Sequence, residues 1–182
     1  MNNYIFLKEF KIDDLFTSVN GDTDIKKENI NNKGVAVVSS GLENFGFIGK
    51  TDIKAKIISK NTITVDMFGN VFYRSVDYKM VTHARVFALI PKNFVLNECI
   101  GLYICTMLNF LSSIFNYNNM CSFNKVKELK IYLPAKEDGN PDWEYMNQYI
   151  HEIKKSVLAD VIKWKDQKKK FLKELSCSSH GC

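Results

Sequence analysis

Arg74 and Arg85 are the only arginines in the chain, and both fall within residues 68–91, beside His83. Every other basic side chain, the histidines apart, is a lysine. An arginine offers a rigid planar fork of donors that suits phosphate oxygens and guanine edges, whereas a lysine is a mobile point charge. The run reads as two strands joined by a polar turn. Val71, Phe72 and Tyr73 are strand formers just after the turn pair Gly69-Asn70. Val86, Ala88 and Ile90 are expected on one side of the second strand, and Arg85, Phe87 and Leu89 on the other. A sheet with two surface ion pairs accounts for the same residues equally well.

Other chemistries find little support. Residues 46–51, GFIGKT, look like the end of a phosphate-binding loop, but that pattern needs glycine at position 44, where Asn44 stands. Glu128-Leu129-Lys130 matches the tail of a nuclease carboxylate–lysine motif, yet Pro141-Asp142 follows it in the wrong order. His83, His151 and His180 are far apart in sequence. The cysteines, Cys99, Cys105, Cys121, Cys177 and Cys182, form no CxxC pair or Cys/His cluster. Neither a metal nor a cofactor is therefore expected. A serine or cysteine nucleophile in a recognisable elbow is also missing, so the sequence gives no positive sign of catalysis. A cryptic nuclease site stays open as an alternative.

The elements that must carry these residues follow from composition and pattern. A chain of 182 residues suits one domain plus an appendage, and 46% hydrophobic content supports a core. A net charge of +5 permits an anionic partner without demanding one. The odd cysteine count suggests reduced thiols and a cytoplasmic location, and no signal peptide is expected. Residues 94–115 are nearly long enough to span a bilayer, but Asn97, Glu98 and Asn109 interrupt them, so a buried helix is expected rather than a membrane span. Short strands are predicted at 34–38, 47–48, 53–58, 62–67 and 130–133, with the first long helix at 97–115. Close, regular strand spacing suggests an α+β fold built on a curled or barrel-like sheet.

Residues 137–141 form a charged hinge, after which nothing breaks a helix before about Leu175. Asn140 is expected to cap it, with Pro141 at the first helical position. Apolar residues recur at spacings of three and four: Trp143, Met146, Ile150, Ile153, Val157, Val161, Trp164, then Phe171 and Leu175. That period describes a coiled-coil-type seam with a stutter near Val157 and Val161. The expected organisation is a domain over 1–140, a spacer helix over 141–176 and a disordered tail over 177–182. Val157, Val161, Trp164, Phe171 and Leu175 are the candidate dimerisation residues, because such side chains are poor ones to leave in water.

Several pieces, taken in order, resemble one family. They are Asp14-Leu15-Phe16; Val37-Val38-Ser39-Ser40 followed by Asn44-Phe45-Gly46; Phe68-Gly69-Asn70; His83-Ala84-Arg85-Val86-Phe87; Tyr117-Asn118-Asn119; and Ile131-Tyr132-Leu133-Pro134 with Asp138-Gly139-Asn140-Pro141-Asp142-Trp143 before a long helix. Together they resemble the target-recognition domain of type I restriction-modification specificity subunits, and related recognition subunits of fused-type (type IIB/IIG-like) restriction systems. The resemblance implies a non-catalytic reader of double-stranded DNA. Its partners would be a methyltransferase subunit and a restriction subunit, which do the chemistry. The family's full subunit has two such domains, held apart by antiparallel helices so that each reads half of a split target. One domain with one helix looks like a half-subunit, implying either a homodimer through the helix or a truncated form that relies on another partner.

On this resemblance, Ser39, Ser40, Glu43 and Asn44 are candidate base readers on one loop, with Glu43 accepting from cytosine and Asn44 pairing with adenine. Arg74 and Arg85 are expected on guanine or backbone, and His83 lies beside them. Tyr73, Tyr117, Asn118, Asn119 and Lys125 are expected to line the same groove, and Lys50, Lys54 and Lys60 to hold phosphates. For each of these, solvated surface or turn chemistry is the plain alternative. A helix-mediated scaffold that binds no DNA also stays open.

Overall fold

The structure is a computed structural model and describes residues 5–178. β1 (Leu7–Lys11) leads through a single helical turn, α1 (Ile12–Leu15), into β2 (Phe16–Asn20). β3 (Val35–Val38) and β4 (Phe47–Thr51) flank a tight turn over Glu43–Gly46. β5 (Thr62–Val65) and β6 (Val71–Arg74) form a hairpin, followed by β7 (Tyr78–Met80) and β8 (Phe87–Pro91). Helices α2 (Glu98–Leu108), α3 (Leu111–Ile114) and α4 (Phe123–Val126) precede β9 (Lys130–Pro134) and the long α5 (Trp143–Ser178).

The fold is α+β with a long C-terminal helix, but the expected curled or barrel-like sheet is not what forms. The strands make three separate open sheets, in the orders β1-β9, β2-β8-β5-β6 and β4-β3-β7. Closure would need each edge strand to find a partner. Here β6 ends the four-stranded sheet, and the next strand, β7, leaves it to pair in parallel with β3. Strand spacing along a sequence does not encode that switch of partner. The run 68–91 accordingly holds three strands rather than two.

β8 explains why the layers stack. Its alternation is as the sequence predicts: Phe87 and Leu89 enter one apolar cluster, and Ala88 and Ile90 enter the other. The first cluster packs the four-stranded sheet against the helices through Ile63, Val65, Ile104, Leu108 and Leu111. The second packs its opposite face against the three-stranded sheet through Val37, Val38 and Met80. Fully burying each such side chain contributes about 1.5–3 kcal/mol. A strand buried on both faces must also hide its polar groups. Thr62 and Thr64 of β5 are buried, and they bond to the Tyr78 hydroxyl and to Arg74 at 2.8 Å each.

Three further expectations change. Residues 53–58 form no strand, only an isolated bridge between Ile58 and Tyr78. The buried ammonium of Lys79 takes up the carbonyls of Thr51 and Ile53 instead, so a ladder is not needed there. The helix expected over 97–115 breaks at Asn109 into α2 and α3, and the Asn109 N–H reaches back only to Thr106. Asp142, not Asn140, caps α5, accepting from the Tyr145 N–H at 3.0 Å, while Asn140 bonds Asp138 in the preceding turn. No helix among the described residues is long and apolar enough to cross a membrane.

α5 begins inside the molecule and ends outside it. Trp143 stacks on Phe94 with ring centroids 4.0 Å apart, Met146 is fully buried, and Tyr149 meets Tyr103 edge-on. Lys154 pairs with Glu98 at 2.6 Å. Residues 151–170 are all exposed. A helix of 36 residues is roughly 54 Å long, so much of it projects from the domain.

Candidate nucleic-acid interface

Loops from distant parts of the chain stand side by side because hydrogen bonds lace them together. The Gly41 N–H donates to Asp66 Oδ2 at 2.8 Å, joining the loop after β3 to the β5–β6 turn. The Cys121 N–H donates to the Met67 carbonyl at 2.8 Å, joining that turn to the segment after α3. Arg85 Nη1 reaches Met120 Sδ at 3.1 Å, which brings in the loop before β8. His83 Nδ1 meets Asp24 Oδ1 at 2.5 Å and ties on the loop after β2. That hydrogen bond holds the Asp24 carboxyl below the usual carboxylate range.

A groove of about 730 Å³ opens among these loops, lined by Ser18, Asn20, Arg85, Tyr117, Asn118 and Lys125 with apolar neighbours. Its lining contains two cations and no aspartate or glutamate. Asn116 shapes one wall: its side-chain oxygen accepts from the N–H groups of Asn118 and Asn119. Lys125 Nζ binds the Asn119 side chain and the Met120 carbonyl at 2.8 Å each. Asn119 is thus committed to holding Lys125, whereas Asn118 and Tyr117 stand exposed at the groove. Arg85 adopts φ 50°, a left-handed backbone that turns the chain just before β8.

Ser40, Glu43 and Asn44 line a second, smaller depression with Ile48, on the neighbouring loop. Ser39 and Ser40 are half-buried, and Glu43 and Asn44 exposed. The loop closes through Ser39 N–H to Gly46 carbonyl at 2.8 Å. Gly46 has φ 78°, and a side chain there would strike the Ser39 carbonyl at 2.7 Å.

Arg74 is in a different environment from the exposed one expected of it. It is 1% exposed. Its Nε donates to Thr64 Oγ1 and its Nη1 to the Phe45 carbonyl, both at 2.8 Å. The guanidinium lies over the rings of Phe47 and Phe72, at 4.6 and 5.2 Å. Burial pushes its pKa down to about 10, so it stays charged at neutral pH. As the last residue of β6 it lies between the four-stranded sheet and the loop before β4, which seals it from solvent.

Tyr73 also sits apart from the groove. Its ring packs where Gly101 of α2 has no side chain, and its hydroxyl donates to Asn61 at 2.6 Å. Lys60 lies at the opposite end of the hairpin from the Asp66 turn, its N–H bonded to Asp77. Lys50 is exposed on β4 and Lys54 on the loop after it. Sequence reading missed Ser18, Asn20, Asn124, Asp24 and Asp66. Of these, only Asp66 had a local signal, since an aspartate ahead of Gly69-Asn70 is turn chemistry.

On α5, Val157, Val161 and Trp164 are each more than half exposed, as are Leu158 and Ile162. Lys168 Nζ lies over the Trp164 ring at 5.1 Å. Phe171 and Leu175 lie in the helix, but their side chains are outside the described residues, as are 179–182 of the expected tail. Among the described residues no cluster of His, Cys, Asp or Glu could hold a metal ion.

Residues 7–163 match the family described as "Type I restriction modification DNA specificity domain". The chain is 33% identical over 156 residues to the type II restriction enzyme specificity subunit S.BcgI of Heyndrickxia coagulans, a match that takes in 84% of this chain and 45% of that subunit. The S subunit of a type I restriction-modification system from M. genitalium shares the fold with a TM-score of 0.56 and 19% identity, over 94% of this chain and 43% of its own. The HsdS subunit of Thermoanaerobacter tengcongensis does so with a TM-score of 0.57 and 13% identity, over 84% of this chain and 38% of its own. A chain from a study of assembly and conformational transition of the type I system reaches 0.62 at 14% identity, over 93% of this chain and 43% of its own. The chain spans about half the length of the relatives it matches. With 157 residues inside the family's match and a third of its aligned positions shared with a curated relative, the chain belongs to the type I restriction-modification DNA specificity domain family.

Proposed function

We propose that this protein is the DNA-reading subunit of a restriction-modification system, directing methyltransferase and restriction partners to a sequence while doing no chemistry itself. The acid-free groove carries the proposal: two cations stand beside exposed amide and phenol groups on loops fixed by hydrogen bonds. Cations grip phosphates and set register, while amides and arginine forks read base edges. In this reading Arg85 and Lys125 face the DNA with Tyr117, Asn118 and Ser18. Ser39, Ser40, Glu43 and Asn44 form a second reading loop, and His83 steadies the rim. Asn119 acts by holding Lys125. Lys50, Lys54 and Lys60 are exposed enough to meet phosphates.

The projecting half of α5 is the proposed dimerisation surface, through Val157, Val161 and Trp164 and, by their place in the seam, Phe171 and Leu175. Two copies would present two grooves to a split, two-fold target. A gel-shift titration at several salt concentrations tests the reading, because phosphate contacts make affinity fall steeply with salt. Affinity unaffected by salt, together with an unchanged genome-wide methylation pattern in cells lacking the chain, would leave only a helix-mediated scaffold.

A further inference from the structure

The loop over residues 39–46 holds a shape that its own sequence does not favour. Asn44 and Phe45 are both left-handed, at φ 46° and 56°. A bulky side chain such as Phe45 rarely adopts that backbone and keeps it only where the surroundings over-determine it. Two buried side chains of the β5–β6 hairpin supply the constraint. Arg74 takes the carbonyl of Phe45, the strained residue itself. Asp66, 3% exposed, accepts the Gly41 N–H at the other end of the loop, as well as the N–H groups of Phe68 and Asn70 and the Asn70 amide. No carboxylate lies within ion-pair distance of Arg74 among the described residues. Its charge is therefore buried against one hydroxyl, one carbonyl and two aromatic faces. Burying an arginine in that way is costly, and among the described residues the one polar contact its side chain makes beyond the hairpin is with the loop.

We propose that Arg74 and Asp66 act together as a buried strut that presets the pose of the reading loop. Arg74 is then a positioning residue for base readout and does not touch DNA. The inference deepens the function proposed above and rests on it. A lysine at position 74 has one donor head and cannot span Thr64 and Phe45 as the fork does.

The test uses the full-length chain with Arg74→Lys, and with Asp66→Asn as a second route to the same loop should the first fail to fold. Each protein is offered a pool of duplexes of randomised sequence, and the bound fraction is sequenced at several salt concentrations. Amide hydrogen exchange is followed over residues 39–46 and 116–121. The strut predicts that both variants keep the wild-type salt slope and bind the unselected pool within about twofold. Enrichment at a subset of motif positions falls about tenfold, the scale of one lost base contact. Exchange speeds up over 39–46 and not over 116–121. A uniform loss across all sequences with a salt slope smaller by about one would place Arg74 on a phosphate and overturn the inference. So would unchanged enrichment from a loop whose exchange has quickened. A wild-type chain that enriches no sequence removes the proposed function itself, and the strut falls with it.

Discussion

Arg74 and Arg85 occupy opposite kinds of ground within one stretch of chain. Arg74 ends β6 between two sheets, its fork spent on a hydroxyl and a carbonyl. Arg85 stands in an exposed turn before β8, and among the described residues its side chain makes one hydrogen bond, a weak one to a methionine sulfur. The same functional group therefore sets geometry in one place and is presented outward in the other. Residue chemistry told what each arginine could bind; the sheet order decided which of them meets solvent.

Stability measurements give the sharpest way to break that comparison. Arg74→Ala leaves Thr64 Oγ1 and the Phe45 carbonyl without a partner and opens a cavity between Phe47 and Phe72. It should cost about 3 kcal/mol in urea unfolding, lowering Tm by roughly 6–12 °C for a chain of this size. Arg85→Ala should change stability by less than about 0.5 kcal/mol. Equal losses from the two would erase the distinction between them.

The order should reverse on DNA. Arg85→Ala is expected to cost about 1–3 kcal/mol with relaxed preference at one position if it reads a base. A loss spread evenly over all sequences would move it to the backbone. Thr64→Val probes the interior side more gently. It removes one acceptor from Arg74 and should cost about 1 kcal/mol with the salt slope of DNA binding unchanged. An unaltered unfolding midpoint would mean that the Nε bond contributes nothing.

The smallest effect is in acid, on the groove side. Asp24 is held below the ordinary carboxylate value of about 3.9 by the bond to His83. Its folded pKa is depressed, so the stabilisation it gives is present above the unfolded value and fades as pH falls through the folded one. Carboxyl carbon shifts followed by NMR should place the Asp24 midpoint below 3.9, and His83→Ala should return it there. A midpoint already at the ordinary value in the unaltered chain would count against a persistent tie between these loops.

Much of the fold is legible in the residues. The alternation in residues 86–90 fixes a strand buried on both faces, because period-two patterning assigns each side chain to one layer. The break before Trp143 and the three-four spacing after it announce α5, since nothing between them interrupts helical hydrogen bonding. The groove is less legible. Ser18, Arg85 and Lys125 are separated by most of the domain in sequence; the pairing of β2 with β8 and the reach of Arg85 to Met120 bring them together. Tyr73 and Arg74 looked like surface readers because an edge-strand pattern gives no notice of what will cover it.

Local patterning, then, settled what each segment becomes: strands with two apolar faces, a capped helix with an apolar seam, turns rich in asparagine. Those properties depend on neighbours within a few residues, and the amino-acid order states them directly. Partner choice between strands belonged to the tertiary structure alone. β7 pairs with β3 rather than β6, which leaves the sheet open, while β2 pairing with β8 and Arg85 reaching Met120 set segments from opposite ends of the domain around the exposed arginine. Such pairings are fixed by how distant surfaces pack, and no short window of sequence contains both sides of the contact.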